Sequence, residues 1–90
     1  MPSTESLQRG TRAKKESFIL EEVRLRGKVK ATELYGSFSR KFPGAAIRTF
    51  LNEYLPAMEY RGEIVLRVKA DGYFAYVPEV LKEEEEAKKI

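Results

Sequence analysis

The sequence predicts a small α+β domain: three helices followed by a C-terminal two-stranded β-hairpin. Three observations lead there. Ninety residues hold one domain. Apolar residues recur at helical spacing through the first two thirds of the chain. After Gly62 the period changes to two, and a turn signal divides the run. The expected organisation is a flexible arm over 1–10, a folded domain over 11–78 and a charged tail over 79–90, either a short helix or disordered.

The arm, MPSTESLQRG, is polar and without period. Thr11 is the expected N-cap of the first helix. Phe18, Ile19, Leu20, Val23 and Leu25 give that helix an apolar stripe, and Gly27 ends it. Lys28–Ala31 is too short for a helix and reads as a brief strand with Val29 inward. Thr32 is the expected cap of a second helix, where Leu34, Phe38 and Phe42 repeat at four-residue spacing on one face. Pro43 cannot extend that helix but suits the first turn of the next. The third helix has the clearest period, with Ile47, Phe50, Leu51, Tyr54, Leu55 and Met58 inward. Pro56 is expected to end or kink it.

Ile64, Leu66 and Val68 then alternate with Val65, Arg67 and Lys69. Asp71-Gly72 is a two-residue turn signal, and Tyr73 to Val77 forms the return strand. That turn places Lys69 opposite Phe74 and Arg67 opposite Tyr76, with Leu66, Val68, Ala75 and Val77 on the core side.

Composition narrows the function. No apolar run reaches the roughly 18 residues of a membrane span, and no secretory leader is visible. A cytoplasmic location is therefore expected. Cysteine and histidine are absent, which removes thiolate and imidazole chemistry and the usual zinc ligands. No carboxylate pair, metal-ligand cluster or phosphate-cradling glycine loop stands out. The expectation is a protein that is not an enzyme, with no cofactor, no metal and no small-molecule substrate. Asp71, Asn52 and Gln8 are the sole residues of their types, against 13 Glu, 9 Lys and 8 Arg. That depletion of thermolabile amides fits a thermophilic source.

Net charge is +3, but residues 78–90 carry five Glu against three Lys, so residues 1–77 hold +5. The positive residues cluster at Arg9, Arg12, Lys14 and Lys15, at Arg24, Arg26, Lys28 and Lys30, at Arg40, Lys41 and Arg48, and at Arg67 and Lys69. A basic body suits a polyanion.

The order helix, short strand, helix, tight turn, amphipathic helix, hairpin resembles the winged helix-turn-helix family over roughly residues 12–78. The resemblance is carried by Gly27-Lys28-Val29-Lys30-Ala31-Thr32-Glu33-Leu34 into the second helix and by Gly62-Glu63-Ile64-Val65 into the hairpin. The compact, heat-adapted version is similar to small DNA-binding regulators of archaea and of their viruses or plasmids. The resemblance implies sequence-specific binding of double-stranded DNA by a transcription regulator, the third helix in the major groove and the hairpin on the backbone. The alternative it leaves open is a protein–protein interaction module within a larger nucleic-acid-processing assembly. A homodimer fits a short domain with a small footprint, since such regulators pair their reading helices on palindromes.

The residues expected to meet DNA follow from the helical pattern. With Ile47, Phe50, Leu51 and Tyr54 inward, Ala45, Arg48, Thr49 and Asn52 face outward. Arginine pairs with guanine and asparagine with adenine through two hydrogen bonds each. Gly44 and Ala45 are small enough for close approach of the helix start. Arg40 and Lys41 lie in the inter-helix turn, where a backbone would pass. Arg67 and Lys69 supply the hairpin. The aromatics beside them, Phe74 and Tyr76, have three open assignments: the DNA backbone or minor groove, the first helix, or a second copy of the chain.

Overall fold

The computed structural model describes residues 4–87, with side chains from residue 12. Helix α1 (Thr4–Arg26) buries Ile19 and Val23, one turn apart. It begins seven residues before the expected cap at Thr11, so the arm expected over 1–10 is helical from residue 4; residues 1–3 lie outside the described residues. No proline lies between Thr4 and Arg26 to stop the helix, and Gly10 alone costs only about 1 kcal/mol. Gly27, at φ 76, ends α1, its N–H bonded to the Val23 carbonyl at 2.7 Å. Leu25, placed in the apolar stripe by spacing, is exposed.

Strand β1 (Lys28–Lys30) buries Val29, as expected. Helix α2 (Ala31–Lys41) starts one residue before Thr32, which is exposed and does not cap it; the capping position is Lys30 and makes no side-chain hydrogen bond. Leu34 and Phe38 are fully buried. Phe38 is the centre of the core, its ring centroid 5.0 Å from that of Phe50, 5.2 Å from Phe42, 6.0 Å from Tyr54 and 6.4 Å from Phe18. Pro43 and Gly44 (φ 88) form a turn, so Pro43 stays outside the next helix.

Helix α3 covers residues 47–60 in three parts: Ile47–Thr49, a π-helical turn Phe50–Tyr54, and Leu55–Tyr60. Pro56 therefore does not end the helix. A proline ring clashes with the carbonyl four residues earlier, here that of Asn52, and lacks the N–H that would bond to it. The wider π turn, in which the Leu55 N–H reaches the Phe50 carbonyl, removes that conflict. It also changes which residues face inward. Phe50, Leu55 and Met58 are fully buried, Leu51 and Tyr54 are half-buried, and Ile47 is 44% exposed.

Strands β2 (Val65–Lys69) and β3 (Gly72–Tyr76) form the hairpin, and β1 joins it as a third strand. The antiparallel sheet has the order β1-β3-β2, so the hairpin is not an isolated two-stranded wing. Its register differs by two residues from the expected one. Arg67 pairs with Phe74, and Lys69 with Gly72. The connecting residues are Ala70 and Asp71, neither with positive φ, so the mirror-image turn implied by Asp71-Gly72 does not form; Gly72 takes φ 144 at the start of β3. A shift of two leaves every side chain on its expected face. Val29, Leu66 and Ala75 face α1, α2 and α3. Val68 shares that face but lies beyond the helices, 80% exposed.

The opposite face is not open. Helix α4 (Pro78–Ala87), expected as a solvated helix or disordered tail, buries Leu81 against Phe74 and Tyr76, with Val65 and Val80 around them. Phe74, Ala75 and Tyr76 are thus three consecutive buried residues, the pattern of a strand covered on both faces. This assigns the two aromatics to the chain's own C-terminal helix.

Candidate nucleic-acid interface

Arg40 and Lys41 project from the last turn of α2 and are exposed. Gly44 is exposed in the following turn. Ala45 is different: its side chain packs on the core and its carbonyl accepts a 2.5 Å hydrogen bond from the Tyr35 hydroxyl. That bond fixes the entry into α3. Arg48 and Thr49 lie in the first turn of α3, whose N–H groups have no acceptor inside the helix. Arg48 is exposed and Thr49 half-buried. Asn52 lies within the π turn and is exposed, as is Glu53. Arg48 and Asn52 both stay on the solvent side, although the π turn offsets the regular one-turn stacking their spacing implies.

On the hairpin, Arg67 is exposed, with Nη1 donating to the carbonyl of Leu66 at 3.0 Å. Lys69 is half-buried, its ammonium 5.9 Å from the centroid of the Tyr76 ring.

Ion pairing divides the cations into two groups. Arg12 bonds Glu16 at 2.9 Å, and Arg26 lies 3.4 Å from Glu22. Lys28 lies 3.9 Å from Glu84. Arg61 bridges Glu16, at 2.5 Å, and Glu63. Hydrogen bonding to Glu63 is the largest influence raising the Arg61 pKa, with Glu16 adding to it, so this link between α1 and the β2 approach stays charged. Among the described residues, no carboxylate lies within ion-pair distance of Arg40, Lys41, Arg48, Arg67 or Lys69. The same holds for Lys14, Lys15, Arg24, Lys30 and Lys82, so the cations without a carboxylate partner extend beyond the five expected to meet DNA.

Two further basic features come from tertiary structure. A groove between α1 and the end of α2 has Phe18 and Phe42 in its apolar lining, with Lys14, Lys41 and one acidic residue, Glu21, at its sides. Lys15 sits over the Phe42 ring at 5.9 Å. Arg9, expected in the same basic group, has its side chain outside the described residues. The second feature is the outer face of the sheet. In the Lys28-Val29-Lys30 strand, an inward Val29 sends both lysines outward. The pairing of β1 with β3 sets them beside Tyr76 and Phe74. The alternation is visible in the sequence, but the non-local pairing that gives it meaning is not.

Among the described residues, no group of three or more acidic side chains is placed to hold a metal ion, and no helix is long and apolar enough to cross a membrane. Comparison with protein-family models, curated proteins and solved structures finds no match.

Proposed function

We propose that this chain binds double-stranded DNA as a transcription regulator, with α3 in the major groove and the β2–β3 hairpin on the backbone. The observation that carries the reading is that, among the described residues, Arg40, Lys41, Arg48, Arg67 and Lys69 have no carboxylate within ion-pair distance, a property they share with Lys14, Lys15, Arg24, Lys30 and Lys82 and not with Arg12, Arg26, Lys28 and Arg61. Unpaired cations retain the charge that phosphate contacts need. The element order α1-β1-α2-α3-β2-β3 and the sheet order β1-β3-β2 are compatible with a winged helix and support the same reading. Arg48 and Asn52, exposed on α3, are the proposed base readers, and Arg67 and Lys69 the proposed backbone contacts.

A second reading draws on exposed apolar groups. Ile47, at the start of α3, is 44% exposed, and Tyr60, at its end, is 93% exposed. These favour an interaction module that docks α3 on protein.

Binding to a duplex selected from a random library, measured from about 50 to about 200 mM salt, separates the two. The DNA reading requires log affinity to fall linearly with log salt, by about 0.9 per phosphate contact. Arg48→Ala and Asn52→Ala should each remove about 1–3 kcal/mol of preference for the selected site with little change in thermal stability. Absence of duplex binding at low salt sinks the DNA reading and leaves the interaction module.

A further inference from the structure

The sheet face away from the main core gathers more cations than the hairpin alone. Lys28 and Lys30 reach it from β1, and Arg67 and Lys69 from β2, with β3 between. Lys28 Nζ lies 4.9 Å from the Phe74 ring centroid and 5.5 Å from that of Tyr76. Lys30 Nζ lies 6.0 Å from Phe74, and Lys69 Nζ 5.9 Å from Tyr76. Two adjacent rings, their centroids 6.3 Å apart, thus hold three ammonium groups from both edges of the sheet. Cation–π attraction fixes where the lysines sit. It does not cancel their mutual repulsion. Within ion-pair distance the cluster has one described carboxylate, Glu84 on α4, paired with Lys28.

We propose that the rim of this face, beside α4, is a second phosphate-binding surface for duplex nucleic acid, formed by Lys28, Lys30 and Lys69 with Arg67 at its edge. The proposal rests on the DNA reading above and extends it to a strand absent from the hairpin. The chemistry selects the phosphate backbone of a duplex over unpaired bases. Bases of a single strand bind by stacking on open aromatic faces. Here Phe74 and Tyr76 are buried beneath α4 and the lysine stems, so the surface offers charge without a stacking platform. Such a surface strengthens binding uniformly and carries no base information. Glu84, by holding Lys28, limits how much of the cluster a phosphate meets.

The test uses the full chain and a random-sequence duplex, with binding followed by fluorescence anisotropy over a salt series. The double variant Lys28→Gln, Lys30→Gln spares the hairpin cations already assigned to the backbone and should bind more weakly. Its salt slope should be shallower by about 0.9 for each phosphate contact removed. The matching double Lys→Arg variant keeps the charge and should keep the slope, which separates loss of contacts from loss of fold. Glu84→Gln should steepen the slope by freeing Lys28. A wild-type chain that binds the duplex, with a slope unchanged in the Gln double, overturns this surface and leaves the α3 and hairpin reading intact. Failure of the wild type to bind any duplex overturns both. Tighter binding of a single strand of the same length than of the duplex overturns the assignment to duplex phosphates.

Discussion

Tyr76 lies in the central strand, fully buried, with its hydroxyl unpartnered among the described residues. A buried hydroxyl without a hydrogen bond carries a desolvation cost of about 1–3 kcal/mol. Tyr76→Phe removes that group and leaves the ring. The contacts that hold the ring survive: Phe74 beside it, Leu81 above it, and the ammonium groups of Lys28 and Lys69. Phenylalanine offers the same π face to those cations. Stability should therefore rise by up to about 1–3 kcal/mol. For a domain of this size, each kcal/mol moves Tm by about 4–8 °C. Urea unfolding of both forms gives the comparison directly, provided m is the same in each. A loss of about 1 kcal/mol or more at constant m would refute the reasoning, because it would mean that the hydroxyl has a bond worth more than its desolvation. Tyr76→Ala is the control; deleting the ring should cost about 3–5 kcal/mol.

Tyr35→Phe should have the opposite sign, since this hydroxyl donates to the Ala45 carbonyl. The expected loss is about 0.5–1.5 kcal/mol, with faster amide exchange at residues 45–47, where the bond fixes the entry to α3. Tyr73 titrates above the ordinary tyrosine value, first because burial disfavours the phenolate and second because Glu59 is nearby. A raised folded-state pKa on an acid favours the protonated form, so its contribution to stability is complete below about pH 10 and fades as pH climbs through the raised value. Ultraviolet titration should show Glu59→Gln lowering the Tyr73 midpoint part-way, and an unchanged midpoint would remove Glu59 as a cause.

Much of the fold is written in local spacing. Leu34 and Phe38 sit one helical turn apart and are both buried, and Lys28-Val29-Lys30 needs only alternation to place Val29 inward. The faces of the hairpin follow from alternation too, which is why Arg67 shares a face with Phe74 despite the shifted register. The failures are of another kind. Pro56 is a helix breaker by local rules, but a π turn that ends two residues upstream absorbs it. In the observed register Phe74 and Tyr76 lie beside β1 and beneath α4, and β1 is far from the turn in sequence. Helix α4 has few apolar residues, and Leu81 becomes an anchor only because an aromatic strand face lies beneath it. For the candidate site, the exposure of Arg48, Asn52 and Arg67 follows from period, whereas the neutralisation of Arg12, Arg26 and Arg61 depends in part on tertiary contacts such as Arg61 to Glu16.

The tie between Gly27 and the residues that follow β3 bears on how the chain folds. The Val77 N–H bonds the Gly27 carbonyl at 2.9 Å, and Val80 packs where a side chain at position 27 would begin. In any folding state where the sheet has formed and α4 has not docked, Phe74 and Tyr76 are bare on its outer side. Exposed apolar strand faces in unfinished chains are sites of misassembly. The lysines of β1 and β2 border that face from the moment the sheet forms, and their like charge keeps two unfinished copies apart. During folding, the same cations act as gatekeepers of the aromatic strand until α4 docks to cover it.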